Sequence, residues 1–165
     1  MTIVYRSNAG TTRRYAELLG EQTGCDVLEL AKAKDTVADD VVYLGWIMAD
    51  EIQGLAEAKA CFDLAAVAGV GMMDDETNIA KVREKAALDT AEFFFLPGDF
   101  HMENVTGMLK LAMGVVRKAM RAEVKKSGDP EAAKTLERIE NGVDKFDETA
   151  LAPLTAFIKA RQSGD

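Results

Sequence analysis

Residues 2–23, TIVYRSNAGTTRRYAELLGEQT, decide the fold more than any other stretch of the chain. TIVYR is β-branched and aromatic, and it runs into the turn-like SNAG before apolar residues recur at helical spacing from Thr11. The predicted helix places four residues on a common side: Tyr15, Ala16, Leu18 and Leu19. Gly24 supplies a C-terminal stop, so the segment predicts a strand, a loop and a helix.

Strands and helices are predicted to alternate along the rest of this region. CDVLEL at 25–30 is typical of a second strand, and the apolar run DVVYLGWIM at 40–48 indicates a mid-sheet strand covered on both faces. AAVAGVGMM and EFFFLPG predict two more strands, with helical stretches at 55–64 and 76–88. Parallel neighbours need long crossovers, so the alternation predicts a three-layer, doubly wound α/β domain with five parallel strands.

The last third of the chain has helical patterns. One helix is predicted at about 103–126, a second is opened by Asp129 with Pro130 at its first position, and a third follows Phe146. No linker or composition shift indicates a second unit, and 165 residues suit one domain. We therefore expect a single domain over residues 1–165.

Composition and charge restrict the class of protein. With 20 basic and 28 acidic residues the net charge is −8, which argues against nucleic-acid binding and favours a basic partner protein. Cys25 and Cys61 form neither a disulfide framework nor a metal pair, as expected of reduced thiols in a cytosol. The start of the chain lacks a secretory signal pattern, and no uncharged apolar run reaches ~18 residues. A cytoplasmic protein that does not span a membrane is expected.

Three motifs and a closing segment carry a family resemblance. They are SNAGTTRRYAELL, YLGWIMADEIQGL, FFLPGDFHMENVTGMLKLAM and VDKFDETALAPLTAFI. The first resembles the opening of flavodoxin-type proteins, whose loop before the first helix holds the FMN phosphate. The second and third resemble the second and third flavin-side loops of flavodoxin-domain proteins related to menaquinone-dependent protoporphyrinogen dehydrogenase, and the fourth resembles that family's closing helix. The likeness runs from residue 1 to about residue 121. It implies a flavodoxin-like strand order, 2-1-3-4-5, and flavin mononucleotide (FMN) as cofactor.

The predicted FMN site lies on the loops after strands one, three and five. Its positions are Ser7, Asn8, Ala9, Gly10, Thr11, Thr12, Gly45, Trp46, Ile47, Met48, Ala49, Asp50, Gly98, Asp99, Phe100 and His101. Free backbone N–H groups at a helix start suit a phosphate, with added attraction from Arg13 and Arg14. The alternative is a helix simply capped by Thr11. Ala9 stands where flavodoxins usually carry a hydroxyl, and Asp50 where relatives have a small residue.

The flavin ring needs flat apolar partners and a suitable charge environment. Trp46 and Phe100 are the candidates to flank it, with a core residue and a loop anchor as the alternatives. Four acids lie in or near these loops: Asp50, Glu51, Asp99 and Glu103. They would oppose negative charge on a reduced flavin. The alternative is that they are ordinary solvated groups.

His101 is the only histidine in the chain. It is a candidate to bond the flavin edge or a substrate, and the alternative is an exposed loop histidine. No Gly-x-Ser-x-Gly elbow is present for a hydrolase, and one histidine with two scattered cysteines does not suit a zinc site.

The helix predicted at 103–126 is basic in an acidic chain. Its apolar positions 105, 108, 109, 112, 116 and 120 predict a stripe that packs against the domain, and Leu111, Met113 and Val115 extend the apolar surface. Six basic residues and one acid lie within 110–126. Two interpretations stay open: peripheral contact with an anionic membrane or a wall beside a quinone or tetrapyrrole, and a solvated basic face that complements the helix C-terminus.

The leading functional hypothesis is a non-covalent FMN protein that carries electrons between a reductase and a partner protein or small acceptor, such as a quinone. One alternative is a flavin oxidoreductase of the protoporphyrinogen or quinone type. A second alternative is a cofactor-free flavodoxin scaffold that serves as an interaction domain. The sequence predicts no particular oligomeric state.

Overall fold

The structure is a computed structural model that describes residues 1–35 and 40–164. In this part of the chain the strands are β1 (Thr2–Arg6), β2 (Asp26–Glu29), β3 (Val41–Met48), β4 (Glu51–Ile52), β5 (Leu64–Gly71) and β6 (Glu92–Pro97). The α-helices are α1 (Thr11–Thr23), α2 (Leu30–Ala33), α3 (Leu55–Cys61), α4 (Glu76–Ala86), α5 (Gly107–Ser127), α6 (Pro130–Asn141) and α7 (Ala152–Ser163). A 3-10 helix, Glu148–Leu151, precedes α7.

Five strands form a parallel sheet in the order β2-β1-β3-β5-β6. The middle strands, β3 and β5, are buried from Val41 to Gly45 and from Leu64 to Val70. This confirms the mid-sheet position predicted from the unbroken apolar run at 40–48, because a central strand is covered on both faces.

The strand order differs from the predicted 2-1-3-4-5 because the structure contains an additional short strand. β4 pairs with β3 in antiparallel fashion and does not join the parallel ladder, so the last two parallel strands are the fifth and sixth in chain order. Only Glu51 and Ile52 form β4. Two residues are too few to show the alternation by which a strand is predicted.

Helices cover both faces of the sheet. Successive residues of a strand point to opposite faces, so Ile3 packs in one core with α1 and α7, whereas Val4 packs in the other with α2, α3 and α4. Tyr15 and Leu19 of α1 are buried in the first core. The predicted apolar side of α1 is thereby confirmed, and Gly24 ends the helix at φ 72°.

Helices α5 and α6 form a helical hairpin inserted between β6 and the last helix. Asp129 caps α6 through its side chain and Pro130 is the first helical residue, as predicted. No residue of α5 is buried, and its main helical partner is α6, to which the side-chain pair Arg121–Glu140 joins it.

The predicted packing stripe of α5 is wrong. Of its six positions only Val105, which precedes the helix, is buried, whereas Met108 is 86% exposed and Val116 is 43% exposed. The half-buried positions of the helix are 109, 113, 114, 117, 120 and 124, of which only 109 and 120 belong to the predicted stripe. The error has a physical origin, since helical spacing shows which residues share a face but not whether a partner covers that face.

Candidate functional site

The predicted flavin-side loops leave the sheet at one edge. The register pairs Arg6 with Gly45, Trp46 with Val70, and Gly71 with Pro97. The strand order reverses between β1 and β3, because the chain passes from β1 to β2 on one side and then to β3 on the other. In open α/β sheets, ligands bind outside the carboxyl ends of the strands at this reversal.

The loop between β1 and α1 is held by short-range hydrogen bonds. Ser7 Oγ accepts the Gly10 N–H at 3.2 Å. Asn8 Oδ1 accepts the N–H of Thr106 at 3.4 Å, and Thr106 belongs to the third flavin-side loop, between β6 and α5. Gly10 is the N-cap of α1 at φ 107°, and no side chain caps the helix. Thr11 is therefore the first helical residue and not the cap, which removes the alternative of a helix capped by Thr11.

A first cleft of about 420 Å³ opens beside the start of α1. Its lining residues are Ala9, Gly10, Thr11, Arg14, Asp99, His101, Glu103, Asn104 and Asp144. The Arg14 guanidinium carbon lies 3.7 Å from the centre of the Phe146 ring, an arrangement that orients the cation within the cleft wall. Arg13, in contrast, pairs with Glu17 on its own helix at 2.7 Å.

Two of the acids that line the first cleft, Asp99 and Asp144, form hydrogen bonds with other groups of the chain. Asp99 Oδ1 accepts the N–H groups of Lys145 and Phe146, both at 2.7 Å, so it anchors the segment before α7. His101 Nε2 and Asp144 Oδ1 lie 2.7 Å apart, and this hydrogen bond raises the pKa of His101. Both carboxylates are therefore hydrogen-bonded to donors of the chain itself.

A second cleft of about 560 Å³ lies on the other side of the first loop. Its lining residues are Arg6, Ser7, Asn8, Glu29, Leu30, Ala31, Lys34, Trp46, Glu57 and Leu109. Trp46 is half-buried at the end of the sheet, and Leu109 comes from the first turns of α5. An indole ring and an aliphatic side chain thus give the cleft an apolar portion beside polar groups.

The loop predicted at residues 45–50 is a β-hairpin in the structure. Ala49 and Asp50 connect β3 to β4 with φ values of 51° and 63°, which corresponds to a two-residue turn with both residues left-handed. The Lys85 ammonium donates to the Ala49 carbonyl oxygen at 2.9 Å. The Trp46 carbonyl oxygen accepts the Gln53 N–H at 2.9 Å, so this main-chain group is already engaged within the hairpin.

The two clefts contain half of the predicted site positions. Those lining them are Ser7, Asn8, Ala9, Gly10, Thr11, Trp46, Asp99 and His101. Thr12 is 2% exposed, and Gly45 is buried under Ile52 of the hairpin. Phe100 forms a backbone bridge with Val143, as the alternative of a loop anchor implies. The other predicted positions that line neither of these two clefts are Ile47, Met48, Ala49, Asp50 and Gly98.

Several lining residues were not predicted. Asp144 reaches His101 across 43 positions of sequence, and Leu109 reaches the second cleft from a helix that was expected to pack elsewhere. The carboxyl end of β2 and the start of α2 contribute Glu29, Leu30 and Ala31. The strand order contained a signal for this last group, because β2 lies next to β1 at the edge where the order reverses.

Comparison with known proteins gives no family assignment. No protein-family model matches the chain, and neither a curated protein nor a solved structure matches it. Among residues 1–35 and 40–164, no helix is long and apolar enough to cross a membrane. Within the same residues, no cluster of three or more His, Cys, Asp or Glu side chains is arranged to hold a metal ion.

Proposed function

We propose that this chain is a flavodoxin-like domain that binds FMN non-covalently and carries electrons between a reductase and a partner protein or small acceptor. The observation that carries the proposal is the start of α1. Gly10 begins this helix in a left-handed conformation with no side-chain cap, and Ala9, Gly10 and Thr11 line an open cleft. Unpaired N–H groups at a helix start, with the positive end of the helix dipole, form a phosphate site.

The charges near this helix start are compatible with a phosphate. Asp99 is bonded to two main-chain N–H groups and Asp144 is paired with His101, whereas Arg14 is a cationic residue of the cleft lining. Ala9 lines the cleft without supplying a hydroxyl, and Thr11 is a hydroxyl-bearing residue of the same lining. The residues present therefore fit the phosphate of FMN.

The second cleft suits the flavin ring. Its volume, about 560 Å³, falls within the ~300–1,000 Å³ of typical ligand pockets. Trp46 and Leu109 supply apolar surface, and Ser7 and Asn8 join this cleft to the phosphate site along a single loop. A ligand with a phosphate at one end and a flat apolar ring at the other would match this pairing of sites.

Bound FMN would supply one- or two-electron redox chemistry, which the chain's side chains do not provide by themselves. The chain's part is to bind the phosphate, orient the ring at Trp46 and restrict the access of water to it. The proposal requires no side chain to act as an acid or base.

A second candidate function is a flavin oxidoreductase that acts on a quinone or tetrapyrrole. The observation in its favour is Leu109, because a helix with an exposed apolar face reaches the wall of the second cleft. Turnover of FMN-loaded protein with a quinone acceptor, compared with simple electron exchange with a reductase, separates an enzyme from a carrier.

Reconstitution with FMN tests the proposal. We expect flavin absorbance to remain with the protein after gel filtration, and a rise in melting temperature that grows with FMN concentration, because a ligand of the native state stabilises by RT ln(1 + [L]/Kd). Micromolar FMN that changes neither absorbance nor melting temperature contradicts the proposal, and leaves the cofactor-free interaction domain as the remaining alternative.

A further inference from the structure

Helix α5 carries a continuous apolar stripe on its solvent side. Among the described residues, five large hydrophobic side chains are exposed, and four of them lie on this helix: Met108, Leu111, Val115 and Val116. Leu111 is 75% exposed and Val115 is 71% exposed. Together with Ala112 and Ala119 they follow steps of three and four residues, so they form one face. We refer to these six residues, between 108 and 119, as the α5 stripe.

The α5 stripe is bordered by positive charge. Helix α5 has six basic residues and one acid, so its net charge is +5. The net charge of the whole chain is −8, so the residues outside α5 have a net charge of −13. Lys118 lies one turn from Val115 and two turns from Leu111, and Lys125 follows two turns later along the same border. Both lysines are exposed. Two of the six basic residues, Lys118 and Lys125, therefore border the apolar stripe.

We propose that α5 docks on an anionic lipid surface, with its stripe at the level of the headgroups and its lysines on lipid phosphates. An apolar face bordered by Lys and Arg is the pattern by which an amphipathic helix lies in a membrane interface. The overall charge of the chain would repel such a surface, so the local charge of α5 selects which side of the molecule approaches it.

The geometry of the stripe disfavours a protein occupant. From Met108 to Ala119 the face is ~17 Å long and ~10 Å wide, which is far below the ~800 Å² per partner of a stable protein interface. Pairing of two α5 helices would also bring basic borders close together. An anionic bilayer avoids both difficulties, because it wraps a narrow face and neutralises the lysines.

Docking through α5 would bring the second cleft near the lipid surface. Leu109, which lines that cleft, lies next to Met108 at the edge of the α5 stripe. The docking proposal does not require bound FMN, since the stripe and the lysines belong to α5 alone.

Vesicle flotation with the full chain tests the proposal. The probes are phosphatidylcholine vesicles with and without 30% phosphatidylglycerol, at low and high NaCl. We expect binding to the anionic vesicles only, with a loss of at least about tenfold in apparent affinity for Lys118→Glu/Lys125→Glu, because each lysine near the surface is worth about fivefold. Leu111→Gln/Val115→Gln is expected to weaken binding because it makes the α5 stripe less apolar. High NaCl is expected to weaken binding because it screens the attraction between the lysines and the lipid phosphates.

A matched control has the same charge change elsewhere. Lys81→Glu/Lys159→Glu alters exposed lysines on α4 and α7 and is expected to bind as the unaltered chain does. Circular dichroism melting shows that each variant is folded. The proposal is overturned if the unaltered chain ignores anionic vesicles, or if both α5 variants bind as well as it does. It is also overturned if sedimentation shows a dimer that Leu111→Gln abolishes, because a second copy would then cover the stripe.

Discussion

The hydroxyl of Tyr15 on α1 donates a hydrogen bond of 2.6 Å to the carbonyl oxygen of Pro97, the last residue of β6. The Tyr15 hydroxyl oxygen in turn accepts the N–H of Asp147 at 2.9 Å, and the Tyr15 ring centre lies 4.5 Å from that of Phe146. One buried side chain thus joins α1 to the third loop and to the segment before α7. These elements form the walls of the first cleft, so Tyr15 sets the spacing between them.

Replacement of Tyr15 by phenylalanine removes this connection. The change leaves the Pro97 carbonyl and the Asp147 N–H without their partner, and we expect a loss of about 1–3 kcal/mol in the free energy of unfolding, measured by urea denaturation. Tyr5→Phe is the control, because the Tyr5 hydroxyl has no hydrogen-bond partner among the described residues. If the two variants are equally stable, the Tyr15 connection does not contribute to folding.

Asp99 is expected to act as a structural anchor for residues 143–147. Asp99→Ala removes the acceptor of two main-chain N–H groups, and we expect a loss of about 2–4 kcal/mol, since hydrogen bonds to a charged group are worth ~1.5–3 kcal/mol each. Asp99→Asn keeps one oxygen acceptor and is expected to lose less. Hydrogen exchange at Lys145 and Phe146 should accelerate in the alanine variant and stay unchanged in Glu103→Ala, an exposed neighbour.

The pair His101–Asp144 predicts a pH-dependent contribution to stability. The Asp144 carboxylate raises the pKa of His101 above its usual 6.5, so the stabilisation is fully present below pH 6.5 and is lost as pH rises through the higher native pKa. Asp144→Asn is therefore expected to lower the melting temperature by about 1–3 °C at pH 6, with little effect at pH 9. The same deficit at both pH values, or a deficit matched by Asp89→Asn, would show that histidine charge is not responsible.

The hairpin turn at Ala49 and Asp50 contains backbone strain that substitution should relieve. Both residues have φ above zero, a conformation that a two-residue turn usually assigns to Asn-Gly. We expect Ala49→Asn/Asp50→Gly to raise the free energy of unfolding by about 0.5–1 kcal/mol, and Ala49→Val to lower it by about as much or more. A destabilised Asn-Gly variant would argue against this turn geometry.

The sequence was sufficient to predict the α/β class, the parallel sheet and the apolar side of α1. These features depend on local periodicity, such as the long apolar run of β3, and on the turn residues between the elements. The same information failed at Ala49–Asp50, because Ala-Asp is not one of the residue pairs that usually signal a two-residue hairpin.

The walls of the candidate site were harder to predict than its first loop. Gly10 and its neighbours are contiguous in sequence, so their joint contribution to a helix start is visible from the motif. Asp144 and Leu109 enter the clefts through the placement of the α5–α6 hairpin, which no local pattern determines. The failed stripe of α5 has the same cause, since its spacing is helical whether or not a partner covers it.

The central claim is that the start of α1 binds the phosphate of FMN, and a comparison of FMN with riboflavin tests it most directly. Fluorescence titration of the purified chain should give a dissociation constant for FMN at least about tenfold lower than for riboflavin, which has the same ring and no phosphate. Gly10→Ala, which strains a position at φ 107°, should reduce this preference, whereas Gly128→Ala, at φ 65° in the distant helical hairpin, should not. Equal affinity for FMN and riboflavin, or no binding of either, would contradict the account.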